Sequence, residues 1–228
     1  FGTDLEYQSH QSVASYINGD YWGLYNIREK VNEHFIASKA NISVDDIDLL
    51  TNSAEILHGT NEDYVNLINF IANNNLAIPS NYDYVKTQVD IDNFIIYNVI
   101  QIYGDNHDWP GNNIKYWKSD GGKWRWILYD TDFSFSGQWW AWDVSNHYLV
   151  NSLDRVLSGI QTNWANAPWS TLMLRKLIQN IEFRNKFVNR YADEINTRFL
   201  ASNVVQHFND IYDVILDEAP DHMQRWGS

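Results

Sequence analysis

The chain has 228 residues, 44% hydrophobic and 20% charged, which gives enough length and apolar content for a substantial core and excludes a disordered chain. Its 16 basic and 29 acidic residues leave a formal net charge of −13, which argues against nucleic-acid binding through released counterions and suits a carboxylate-rich cleft for divalent cations. No cysteine is present, so disulfides, thiolate zinc sites and cysteine nucleophiles are excluded, and no apolar run approaches the roughly 20 residues of a bilayer span.

Phe1 is not an initiator methionine and no signal peptide follows it, so the chain reads as a piece of a longer polypeptide. The first expected elements are strands over 12–17 and 21–27 flanking Asn18-Gly19, the strongest short hairpin signal. A short helix is expected from Val31 to Ala37. Extended structure follows over 47–57, interrupted near Asn52-Ser53. Thr60 is the expected cap of a helix running to about Asn74, with Asp63 as capping-box partner, and Tyr64, Leu67, Ile68 and Ile71 recur on it at helical spacing. After Asp90 comes a helix apolar on nearly all sides (Ile91, Phe94, Ile95, Ile96, Tyr97, Val99, Ile100, Ile102, Tyr103). This predicts a central, buried element ending at Gly104.

Residues 114–118 and 123–129 alternate around Ser119-Asp120-Gly121-Gly122 and predict a second hairpin. Trp124, Trp126 and Leu128 fall on one face, and Arg125, Ile127 and Tyr129 on the other. Beyond a Trp-rich stretch, helices are expected near 148–160, 169–181, 183–199 and 203–217. The last carries Val204, Phe208, Ile211, Tyr212 and Ile215 on one stripe. No repeat or linker marks a boundary, so 1–228 reads as one α+β domain with a small β-containing N-terminal part on a mostly helical body. The 11 tryptophans have two readings: core packing with each indole N–H finding an acceptor, or, for Trp139, Trp140 and Trp142 and the ribbon's Trp117, Trp124 and Trp126, an aromatic platform for a sugar, peptide or base.

The chemistry concentrates in Asp105-Asn106-His107-Asp108-Trp109-Pro110-Gly111-Asn112-Asn113 and in Tyr129-Asp130-Thr131-Asp132-Phe133. An aspartate, an asparagine five residues on, and an Asp-Phe pair beyond a short ribbon stand in the order in which a protein kinase presents its catalytic Asp, metal-binding Asn and metal-binding Asp. Phosphoryl transfer needs a hard divalent cation on the phosphates and a carboxylate to orient the attacking hydroxyl. Asp108 is the candidate base, and Asn113, Asp132 and Asp130 are the candidate metal ligands. Asp130 and Asp132, two apart, would share a face on a regular strand. Such residues are also ordinary turn formers. Asn106 stands two before Asp108 where a kinase has His, and Ser134 replaces the glycine after Asp-Phe. The histidines show no zinc-ligand spacing, and no nucleophile elbow, Walker loop or dinucleotide fingerprint is present. Asp108 and Asp132 could instead form a glycosidase pair in a Trp-lined cleft, a chemistry that has no use for Asn113.

Three blocks carry a closer likeness. They are Asn18-Gly19-Asp20-Tyr21-Trp22-Gly23-Leu24-Tyr25 running into Arg28-Glu29, then 106–113, and then Lys123 to Phe133. Through them the chain resembles the CotH kinase family, atypical kinases named for a bacterial spore-coat protein. Met223-Gln224-Arg225-Trp226 is also similar to that family's closing segment. The resemblance implies a reduced protein-kinase-like fold and transfer of phosphate from ATP, with Mg2+ or Mn2+, to serines of protein substrates such as coat or surface proteins. It places Asp108 in the catalytic loop and Asn113 and Asp132 at the metal, and it implies an extracellular or cell-surface setting. Glu29 gains an ion-pair or nucleotide-facing role, or else it is a strand-end carboxylate paired with Arg28 or Lys30. Family members usually carry more basic chain before the first hairpin. Part of the ATP lobe is therefore expected to be missing, with Arg28 and Lys30 as the nearby substitutes. The rival class is a non-catalytic coat, cell-surface, glycan- or protein-binding module of kinase-like shape.

Overall fold

The computed structural model describes residues 3–135, 149–161 and 165–227. In chain order the elements are β1 (Glu6–Tyr7), β2 (His10–Ile17), β3 (Asp20–Arg28), α1 (Glu33–Ala40), β4 (Ile47–Thr51), β5 (Glu55–His58), α2 (Glu62–Asn73), α3 (Pro79–Gln88) and α4 (Ile91–Tyr103). They continue with β6 (Lys115–Ser119), β7 (Arg125–Leu128), α5 (Ser152–Leu157), α6 (Leu172–Leu177), α7 (Ile181–Ile195), α8 (Ala201–Ile215) and α9 (Ala219–Trp226). The chain is α+β, as expected. It divides into two compact units, one built from 8–30 and 192–228, the other from 2–7 and 31–191.

The larger unit holds a five-stranded sheet of order β1-β7-β6-β4-β5, antiparallel except where β1 lies parallel to β7. Both faces of its inner strands β7, β6 and β4 are covered. On one face Ile47, Leu49, Trp117 and Ile127 pack with Val31, Phe35 and Ile36 around α1, and Tyr129 lies against that cluster. Asn32 begins α1 by accepting the Phe35 amide at 3.0 Å, a normal N-cap. On the other face Tyr116 and Trp124 meet Tyr64 at ring-centroid separations of 4.3 and 5.0 Å, Trp126 meets Phe94 at 4.6 Å, and Tyr116 lies 5.8 and 5.9 Å from Trp124 and Trp126, all edge-on or tilted. The alternation read from 124–129 therefore holds, because period-2 side chains fill two separate cores.

The central helix α4 has ten buried residues. Asp90 caps it by accepting the Asn93 amide at 3.1 Å. Asn93, itself buried, accepts the Trp126 amide at 2.7 Å and donates to the Trp126 carbonyl at 3.4 Å. It replaces a strand partner where the two-residue β1 does not reach, and so the β7 backbone stays paired. Trp124 is paired in the same region, its amide donating to Gln88 O at 2.8 Å and its carbonyl accepting from Asp90 N at 3.0 Å.

Several expectations need correction. Thr60 does not cap α2: its amide and hydroxyl both donate to Asp48 Oδ1, and the cap position is Asn61, with no side-chain cap bond. Asp63 is ion-paired with Lys118 instead of closing a capping box. Helix α3, opened by Pro79, has no counterpart in the sequence reading, since Tyr82 and Val85 supply only a thin apolar face. Strand β1 is likewise new. Arg125 anchors that segment through Glu6 at 3.1 Å and through the Asp4 and Asp90 carboxylates. The tryptophan reading is met in part. Trp109, Trp117, Trp124 and Trp126 are buried, but the indole N–H groups of Trp117 and Trp124 have no acceptor among the described residues. Trp139, Trp140 and Trp142 lie outside the described residues.

The smaller unit contains the β2–β3 hairpin, turned by Asn18 and Gly19 with φ of 52° and 90°, the positive pair a tight hairpin demands. Helix α9 lies on β3. His222 Nδ1 accepts the Leu24 amide at 3.0 Å, and Trp226 Nε1 donates to the Trp22 carbonyl at 2.8 Å. Between them Gly23 has φ of 135°, and a Cβ there would stand 2.9 Å from both His222 and Trp226. Only glycine admits that approach.

Candidate active site

Helix α4 delivers the chain into the first loop at Gly104. Asn106, fully buried, donates to Gln101 Oε1 at 2.9 Å and accepts the Asp108 amide at 3.0 Å. The residue standing where a kinase has His thus ties the loop to the helix that launches it. Gly111 then brings its amide against the Ala165 carbonyl, an approach that a Cβ would block. The peptide between Trp109 and Pro110 is cis.

Asp108 is 8% exposed. Its Oδ2 accepts the side-chain amides of Asn112, at 3.0 Å, and of Asn113. Burial pushes its carboxyl above the usual carboxylate range; the neighbouring Asp130 and Asp132 charges push it further, against the two asparagines, which lower it. The Asn113 amide also reaches the Asp130 carbonyl at 3.5 Å. Tyr129, which sits next to Asp130 and Asp108, is raised to about 12, mainly by burial, and the Lys115 ammonium lies 4.7 Å from its ring centroid.

The second loop is fastened directly to the first. His107 N–H donates to Phe133 O at 3.3 Å, and Phe135 N–H to Gly104 O at 2.7 Å. The premise that Asp130 and Asp132 share a strand face does not hold: β7 ends at Leu128, Asp130 has φ of 52°, and 132–133 lie in a turn. From beyond the strand end, both carboxylates act on Asp108 through their charge. Asp105, Asn113, Asp130 and Phe135 all have φ near 50°. Asp and Asn tolerate this conformation, and sparsely populated backbone of this kind gathers where a site is over-determined by its surroundings.

Behind the loop lies a network that sequence reasoning missed. Asp105 Oδ1 accepts Ser152 Oγ–H at 2.5 Å and lies 3.5 Å from an Arg155 terminal nitrogen, while Oδ2 lies 2.7 Å from His107 Nε2. Burial pushes the Asp105 carboxyl up, but the His107, Ser152 and Arg155 groups outweigh it and hold it below the usual range. Arg155 also donates to Trp109 O at 3.1 Å and Asn106 O at 3.0 Å. Asp105 and Asn112 stood inside the stretch the sequence singled out. Arg155 lies 46 to 50 residues downstream, and no local pattern marks it.

The predicted Asp108, Asn113, Asp130 and Asp132 are therefore brought together in the larger unit. Arg28, Glu29 and Lys30 belong to the smaller unit. There the Glu29 carboxylate accepts the Ser9 amide at 2.9 Å and its carbonyl accepts from Gln8 Nε2 at 2.5 Å, while Arg28 and Lys30 are exposed. Among the described residues no three His, Cys, Asp or Glu side chains form a group able to hold a metal, so a cation here would also need the Asn113 amide oxygen, water or substrate oxygens.

The family model described as CotH kinase protein matches residues 2–228. No curated protein matches the chain.

Proposed function

This chain belongs to the CotH kinase family, and on that premise we propose that it transfers the γ-phosphoryl group of ATP to serine hydroxyls of a protein substrate. The observation that carries the reading is the Asp108 carboxylate, buried, oriented by two asparagine amides and crowded by Asp130 and Asp132. A divalent cation such as Mg2+ or Mn2+ fits this donor chemistry: the oxygens are hard, and the negative charge that lifts Asp108 is what a cation would offset. Asn113, Asp132 and Asp130 would hold it, and when bound it neutralises charge on the phosphate oxygens.

The chain's own residues supply position and proton transfer. Asp108 accepts the serine Oγ proton as the Oγ–Pγ bond forms and the Pγ–O bond to ADP breaks. Asn112 and Asn113 fix which oxygen faces the substrate. The net charge of −13 favours basic or neutral segments around the accepted serine over nucleic acid. The substrate class suggested is a coat or surface protein in an extracellular or cell-surface setting.

A second reading, a non-catalytic assembly or glycan-binding module, draws on the exposed Val205, Phe208, Ile211 and Tyr212 of α8. Phosphate incorporation from labelled ATP separates the two. The wild-type protein is expected to incorporate label in the presence of metal, and Asp108→Ala and Asp132→Ala to lose about 100-fold or more. Equal incorporation by all three proteins would overturn the kinase reading. Glycan or partner binding without stabilisation by ATP and magnesium would favour the module.

A further inference from the structure

We infer that Arg155 of α5 is the positioning residue that fixes the His107–Asp108 segment; this rests on the reading of Asp108 as the group that orients the acceptor hydroxyl. The two carbonyls that Arg155 grips, Asn106 O and Trp109 O, stand on either side of those two residues. The third contact is the Asp105 carboxylate at the head of the loop. The guanidinium therefore spans the start of the loop from residue 105 to residue 109 and does not touch the Asp108 carboxylate, whose partners are Asn112 and Asn113.

The shape of the group matters. A planar fork with five donors can reach three acceptors at once, whereas an ammonium on a flexible stem is one compact charge. The side chain is 8% exposed, so water does not compete for those acceptors. Ser152 and Arg155 are three apart on α5 and share a face, and both meet Asp105. Helix α5 thus presents a hydroxyl and a guanidinium to the head of the loop, while His107 N–H joins the same segment to Phe133 O from the other side. Asp108 lies between the two carbonyls that Arg155 grips, with its amide held by Asn106 and its carboxylate by the two asparagines. A catalytic carboxylate displaced by a fraction of an ångström loses its alignment to the attacking oxygen.

The test uses Arg155→Lys and Arg155→Ala in the intact protein, with label incorporation from ATP into the protein and hydrogen exchange of its amides. Arg155→Lys keeps the charge and the stem, so it guards against a variant that simply fails to fold. It is expected to lower kcat about tenfold or more with the KM for ATP within about twofold. It should also speed exchange at residues 105–109 about tenfold, leaving α4 unchanged. Wild-type kcat and wild-type loop exchange in Arg155→Lys would overturn the inference. So would loss of protection spread through α4 with kcat and KM altered together, the signature of a merely structural residue. If the wild-type protein transfers no phosphate, the kinase reading fails, and the loop exchange still decides whether Arg155 holds the segment.

Discussion

Asp108 and Asp105 are three residues apart and oppositely perturbed. Asp108 is lifted by burial and by Asp130 and Asp132, whereas Asp105 is lowered because His107, Ser152 and Arg155 outweigh its burial. A carboxylate with a lowered folded-state pKa contributes stability that is complete above its unfolded value, about 3.9, and disappears as pH falls through the folded value. Thermal midpoints measured from neutral pH downward should therefore show Asp105→Asn less stable than wild type at neutral pH, with the gap narrowing below the ordinary carboxylate range. A gap that widens in acid would contradict this sign. The placement of the candidate residues was legible in the sequence, since Asp108, Asn113 and the Asp130–Asp132 pair stood out by order and spacing and lie on two loops fastened to each other. The supporting side chains were not. Arg155 acts through backbone carbonyls, which any sequence supplies, so nothing in its surroundings distinguishes it from a solvated arginine.

Among elements, the α4–β7 junction decides how rigidly the first loop is launched. Asn93 pairs both backbone groups of Trp126, and its loss would leave a buried N–H and C=O without partners. Asn93→Ala is expected to lower stability by about 2–4 kcal/mol, given roughly 1–3 kcal/mol for each buried group left unpaired, as read from chemical denaturation. A change below about 0.5 kcal/mol, the scale of an ordinary surface substitution, would mean that water or a shifted strand replaces the amide. The helix itself was readable because its apolar residues leave no polar face. The role of Asn93 was not, because a polar residue one turn into a helix looks like a solvent-facing position until the sheet beside it is known. The same reasoning accounts for α3 and β1. Pro79 opens α3, but its two buried side chains, Tyr82 and Val85, give too weak a period to be read. Strand β1 exists through pairing with a distant β7, Glu6 against Ile127 and Tyr7 against Leu128, and through the bond from Arg125 to Glu6, which spans 119 positions.

At the scale of the whole molecule, 29 acidic against 16 basic residues set a repulsion that no single contact removes. Surface ion pairs such as Lys186 with Asp92 contribute about 0–1 kcal/mol each. Screening of the excess negative charge is therefore expected to dominate, and raising sodium chloride from about 10 to about 150 mM, which shortens the Debye length from about 30 to about 8 Å, should raise the thermal midpoint. A midpoint that falls would show that specific ion pairs outweigh the net charge. The α+β class was visible from the sequence, but the division into two units was not, because no composition change or linker marks it. The smaller unit joins segments near opposite ends of the chain: the bonds from α9 to Leu24 and Trp22 close separations of 198 and 204 residues. During synthesis at about 5–20 residues per second, Gly23 must therefore wait on the order of ten seconds or more for His222 and Trp226 to be made. Until then the strand that carries Trp22 and Leu24 has neither of the two side chains that cover it, and the family motif at its start reaches its final surroundings only after α9 has been made.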